Sequence, residues 1–118
     1  MKIIQNKFLR RKKRVRSKIN GSADRPRLSI FRSNKSVSVQ AIDDVNGVTI
    51  LQVGQKDLGK IDSLGLTGLQ IPREIGKRVA EGLLSKKIKA AVFDKSGYKY
   101  HGKVKAVAEG ARKAGLII

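Results

Sequence analysis

The sequence predicts a single α/β domain, a mixed sheet in the element order β-β-β-α-β-α, preceded by a basic N-terminal arm. Three observations carry that prediction. Apolar and polar residues alternate through three successive segments, then apolar residues recur at helical spacing in two later ones with a short apolar run between them. The 118 residues amount to about one domain and are 40% hydrophobic, enough for one modest core. Residues 1–24 lack any such pattern and are dominated by positive charge.

The arm comes first. From Phe8 to Ile19 the apolar residues Phe8, Leu9, Val15 and Ile19 fall among bases, with no breaker before Asn20-Gly21. Like charges at i,i+4 oppose a helix there, so the arm is expected to be helical or disordered when free and to firm up on an anion. Asn20-Gly21-Ser22-Ala23-Asp24-Arg25-Pro26 has linker chemistry, with the proline where a strand can begin. The division is therefore an arm at 1–24 and a folded α/β domain at 25–118.

Arg27 to Arg32 alternates, with Leu28 and Ile30 on one face and Arg27, Ser29 and Phe31 on the other. After Ser33-Asn34-Lys35 the alternation resumes from Ser36 to Ile42, which makes a hairpin. Asn46-Gly47 turns the chain into a third strand, Val48 to Val53. Gly54 to Gly68 is glycine-rich without a clean period and reads as a loop that could hold a short helical turn. From Ile71 the residues Ile71, Ile75, Val79, Leu83, Leu84 and Ile88 form one apolar stripe, with Pro72 suited to a first helical turn. Gly76 and Gly82 each weaken that helix by about 1 kcal/mol relative to alanine. Ala90 to Phe93 is a short buried strand. A second helix follows near Gly102, burying Val104, Val107, Ala108, Ala111 and Ala114, with Gly115 in the left-handed stop position and Leu116 folding back. Strand, helix, strand implies a right-handed crossover and hence a parallel pairing in an otherwise antiparallel sheet.

Charge bounds the function. Twenty-seven Lys and Arg against nine Asp and Glu give +18, a self-repulsion that stabilises no globular fold and points to a polyanionic partner. Residues 1–27 hold eleven of the bases and one acid, Asp24, so the remainder still carries +8. There is no cysteine, which excludes disulfides and thiolate metal sites, and one histidine cannot build a zinc site. No apolar run approaches the roughly 20 residues that span a bilayer. The Arg-rich start has some likeness to a mitochondrial transit peptide but lacks its serines. No cofactor and no membrane are expected.

Two constellations can carry chemistry. Arg10, Arg11, Lys12, Lys13, Arg14, Arg16 and Lys18 can neutralise phosphates and release condensed counterions. A solvated tail is the plain alternative, which the net charge of the rest of the chain disfavours. The second constellation, GYKYHGK at 97–103, gathers both tyrosines and the single histidine on the loop before the last helix. Rings there can stack on bases or sugars, the hydroxyls and imidazole can hydrogen-bond phosphate or 2′-OH, and a helix N-terminus favours anions. The alternative is that the tyrosines cap the core. An enzyme would have to recruit Asp43, Asp44, Glu81, Asp94 or His101, but the aspartates stand at ordinary turn positions and no spacing demands a metal site. The chain is therefore expected to bind rather than to catalyse.

RPRLSIFRSNK at 25–35, QAIDD at 40–44 and VFDKSGYKYHGKVKAVAEGARKAGL at 92–116 resemble the bacterial form of large-subunit ribosomal protein eighteen, a family that binds 5S ribosomal RNA. The resemblance keeps one order across nearly the whole chain. It implies a ribonuclease-H-like domain of the translational machinery component type, without catalytic activity, in the central protuberance of the ribosome. It implies 5S and 23S ribosomal RNA as partners, large-subunit ribosomal protein five as neighbour, a monomer within the ribosome and a cytoplasmic location. Carried over by position, the basic run with Arg25, Arg27, Arg32, Ser33 and Lys35 matches the family's RNA-facing start. Tyr98, Tyr100, His101, Gly102 and Lys103 match its second contact loop, and Phe31, Tyr98 and Tyr100 are the candidate ring contacts. The runner-up is a nonspecific architectural nucleic-acid-binding protein, with an RNA-processing nuclease third.

Overall fold

The computed structural model describes residues 9–10, 20–32, 36–58, 65–95 and 98–118. Strands β1 (Arg27–Arg32), β2 (Val37–Asp43) and β3 (Val48–Gly54) are followed by helix α1 (Gln70–Ser85), strand β4 (Val92–Asp94) and helix α2 (Lys103–Lys113). The sheet order is β3-β2-β1-β4. β1 and β2 pair antiparallel, as do β2 and β3, while β4 runs parallel to β1, so the sheet is mixed as the alternation and the crossover imply. A register shift at Ala41/Ile42 leaves Ile50 as an extra residue on β3.

Alternation decides which face is covered. Leu28, Ile30, Val37, Val39 and Ala41 share one face and one core cluster with Ile75, Val79 and Leu83 of α1 and Val104, Val107 and Ala111 of α2. Both helices therefore lie on the same side. Ser29, Phe31, Ser38 and Gln40 point to the other.

The helix pair explains glycines that propensity alone would count as flaws. A methyl group on Gly76 would meet the Val107 carbonyl oxygen at 2.0 Å, and one on Gly110 would meet the Arg73 carbonyl oxygen at 2.1 Å. Each helix thus presses its glycine against the other's backbone. Gly82 differs, because its nearest neighbour is the Leu51 Cδ2 methyl, the far end of a side chain that can turn away.

Boundaries shift for local reasons. Gln55–Leu58 is a 3-10 turn that buries Leu58, and Asp57 Oδ2 accepts from the Gly54 N–H at 2.7 Å. Thr67 N–H donates to Gln70 Oε1 at 3.0 Å and Gln70 N–H to the Thr67 carbonyl at 3.0 Å, a closed turn from which α1 starts one residue before Ile71. At its other end α1 stops at Ser85, short of Ile88. Lys87 takes φ 65°, and the N–H groups of Lys87 and Ile88 turn back to the carbonyls of Leu84 and Leu83. This is a Schellman motif, whose hydrophobic residue folds back onto the last turn and so imitates one more step of the helical stripe. α2 ends in the same motif with Gly115 in the left-handed place and Leu116 buried, as the sequence indicates.

β4 lies two residues later than the apolar run suggests. Its ladder with β1 begins at Val92, whose N–H donates to the Pro26 carbonyl, whereas Ala90 forms a parallel bridge with Ile117, whose carbonyl accepts from the N–H of buried Ala91. Asp94 belongs to the strand and is buried.

The helix contact makes a testable distinction. Gly76→Ala or Gly110→Ala should each destabilise the domain by about 2 kcal/mol in urea unfolding, the clash outweighing the gain in helix propensity. Gly82→Ala should stay within about 1 kcal/mol of wild type, because Leu51 can give way.

Candidate nucleic-acid interface

The far end of β1 and the loop before α2 are far apart in sequence and meet in space. Tyr98 Oη donates to the Arg32 carbonyl at 2.9 Å and accepts from the Arg32 N–H at 3.2 Å. The Arg32 guanidinium lies 5.4 Å from the centroid of the Tyr98 ring, a cation–π contact. One phenol thus joins the loop at 97–103 to the end of β1. Tyr98 is half-buried and packs against the core, as the core-capping reading of its ring expects.

Around that junction the surface is aromatic and basic. Phe31 is 62% exposed and Tyr100 41%, the rings that offer surface to a partner. Tyr100 stands edge-on to Phe93 with centroids 6.3 Å apart, and its hydroxyl accepts from Arg112 Nη1 at 3.0 Å. Lys99 and His101 are exposed and Lys103 is half-buried. No acid occurs from Lys95 to Lys103.

Gly102 directs α2 toward this surface. Its φ 56° and ψ −121° are those of the first central residue of a type II′ turn, closed by Val104 N–H donating to the His101 carbonyl at 3.2 Å. A side chain would find open space there but not that backbone conformation.

Arg27 sits elsewhere than its place among the RNA-facing bases implies. It is 8% exposed. Its Nε and Nη2 donate to Asp44 Oδ2 and Oδ1 at 2.9 and 3.0 Å, and its Nη1 donates to Asp94 Oδ2 at 2.8 Å. Hydrogen bonding to Asp44, then to Asp94, holds the guanidinium above its ordinary pKa against the opposing effect of burial. All three hydrogen-bonding nitrogens are committed to carboxylates of the same chain, and we assign Arg27 to the fold rather than to the surface.

This arrangement also accounts for the carboxylates an enzyme would need. Asp44 and Asp94 do converge, but on a guanidinium. Asp43 accepts from the N–H groups of Val45 and Asn46 and from Asn46 Nδ2, the turn role expected of it. Among the described residues no group of three or more His, Asp or Glu is placed to hold a metal ion.

Gly21 completes the Arg27 cluster. Its N–H donates to Asp44 Oδ2 at 2.7 Å, and Asp44 N–H donates to the Gly21 carbonyl at 3.0 Å. A methyl group on Gly21 would meet the Ile42 carbonyl oxygen at 2.3 Å and Arg27 N at 2.4 Å. What composition marks as a linker is thus held to the sheet, with Ser22 and Arg25 bonded to each other in a small closed loop.

Of the remaining candidates, Arg10 and Arg25 are exposed. Arg11, Lys12, Lys13, Arg14, Arg16, Lys18, Ser33 and Lys35 lie outside the described residues. Arg112 was missed by sequence reasoning, since its place in a last helical turn reads as an ordinary complement to the helix dipole. Asp44 and Gly21 were passed over because turn and linker chemistry already explained them.

Residues 3–118 match the family model described as ribosomal L18 of archaea, bacteria, mitochondria and chloroplasts. The large ribosomal subunit protein uL18 of Lactobacillus johnsonii is 49% identical over 108 residues, covering 92% of this chain and 89% of the relative. That of Lactobacillus acidophilus is 48% identical with the same coverage. That of Bacillus cereus is 47% identical over 109 residues, 91% of this chain and 88% of the relative.

Two outcomes test the site's geometry. Arg27→Met should cost about 3–5 kcal/mol at pH 7, because Asp94, 1% exposed, loses its cation. Urea unfolding of the variant and the wild type at pH 7 measures the loss. Tyr98→Phe removes both bonds to Arg32. It should cost about 1 kcal/mol in thermal unfolding and speed exchange of the Arg32 amide.

Proposed function

We propose that this chain, which belongs to the L18 family of ribosomal proteins, binds 5S ribosomal RNA and helps attach it to 23S RNA in the central protuberance of the large subunit. It is a structural component and not an enzyme. Large-subunit ribosomal protein five is its proposed neighbour, on the cytoplasmic ribosome.

The observation that carries this reading is the Arg32–Tyr98 junction. It gathers exposed Phe31 and Tyr100 with Arg32, Lys99, His101 and Lys103 at one end of the sheet, while Gly21 is held at the other. Arg and Lys would position phosphates, and the exposed rings would contact bases or sugars. β1 spans about 17 Å between those two ends, for five steps of strand. A partner that engages the rings and the basic run together must present bases as well as backbone, which favours a folded RNA over a featureless polyanion. Recognition would then rest on shape and backbone rather than on base sequence.

Competition separates this reading from nonspecific architectural binding. At about 0.2 M salt, where the general electrostatic contribution is weakened, the protein should remain on folded 5S RNA against an excess of duplex DNA of equal charge. Equal displacement by the DNA would favour the architectural binder instead.

A further inference from the structure

We propose that Asp44 is a positioning residue for RNA binding, which fixes the root of the basic arm, at Gly21, to the Arg27 end of the sheet. This rests on the reading above, in which the bases at 10–18 meet phosphate.

The link between Gly21 and Asp44 runs both ways, N–H to carboxylate at 2.7 Å and carbonyl to N–H at 3.0 Å. The carboxylate that holds Gly21 is itself held through both oxygens by Arg27, so it cannot pivot. Gly21 has no space to accept a side chain, pressed as it is between the Ile42 carbonyl and the backbone of Arg27. Asp44 thus serves two partners with one carboxylate. Its bonds to Arg27 hold the sheet, whereas its bonds to Gly21 hold a segment that belongs to no strand or helix.

The consequence is a short tether. Lys18 lies three residues before Gly21, but eight before Pro26, the next residue bonded to the sheet through its carbonyl and Val92 N–H. Releasing Gly21 would lengthen the tether from three residues to eight. Effective concentration of a tethered group falls roughly as the −3/2 power of tether length, so the arm's phosphate contacts should weaken about fourfold. The contacts themselves would be unchanged in number, and so would the dependence of affinity on salt.

A double-mutant cycle on a 5S RNA transcript tests this. The full-length protein carries Asp44→Ala, which removes the side-chain acceptor for Gly21 N–H, either with its native arm or with Arg10, Arg11, Lys12, Lys13, Arg14, Arg16 and Lys18 all changed to Gln. Asp44→Ala should weaken binding by about two- to fourfold with the native arm, at unchanged salt slope, and have no effect with the neutral arm. Equal loss in both backgrounds would overturn the positioning role alone. If neutralising the arm leaves affinity intact, the RNA-binding role of the arm fails and the positioning role with it. Gly21→Ala breaks the link from the other side and removes none of the charged groups of the two Arg27 ion pairs. It must show the same dependence on the arm, and wild-type affinity for Gly21→Ala with the native arm would also overturn the proposal.

Discussion

The buried guanidinium of Arg27 is the constraint on which the rest of the molecule hangs. A cation nearly out of water is tolerable only where carboxylates and good hydrogen-bond geometry replace the lost hydration. Arg27 draws one aspartate from beyond the end of β2 and another from the end of β4, and so fixes three strands at one end of the sheet. Through Asp44 it also reaches Gly21. A single ionic cluster therefore decides where the sheet is trimmed, where β4 docks and where the basic arm departs.

On the opposite face of the sheet the constraint is steric. Gly76 and Gly110 bring α1 and α2 to backbone contact, which leaves room for a thin core of small residues such as Ala80, Ala91, Ala108 and Ala111. The apolar residues are thereby spent on holding the helices, and the large exposed rings lie off that face, at the loop end. Stability thus rests on residues other than the exposed rings, while Tyr98 packs on the core and anchors Arg32. Among the described residues, two of the three buried charged side chains, Arg27 and Asp94, belong to the Arg27 cluster, and the third, Asp43, holds its own turn.

Periodicity made the architecture legible. Alternation located the three antiparallel strands to within a residue, the apolar stripes located both helices, and Gly115 marked its stop. What escaped were the interactions that span sequence. Arg27 and Asp94 are separated by 67 residues, Tyr98 and Arg32 by 66, and no local pattern announces either pair. Ile88 misled because a residue folding back at a Schellman turn is apolar for the same reason a helical one is. For the candidate site, the residue types were readable from their chemistry. Which of them turn outward was not, and Arg27 shows why: a base that alternation assigns to a polar face is buried when the chain crosses over it.

Tyr98 has one more implication. β4 leaves β1 after pairing Asp94 with Ser29, and the last residues of β1 on that side would otherwise present backbone donors and acceptors in strand geometry. By accepting from the N–H and donating to the carbonyl of the same residue, the phenol does at Arg32 what a neighbouring strand would do. It acts as a sheet of one residue. An unfinished strand margin is a template on which other chains can assemble. A hydroxyl that ends the ladder caps that margin at Arg32 against β-augmentation while leaving the neighbouring Phe31 and Tyr100 rings exposed.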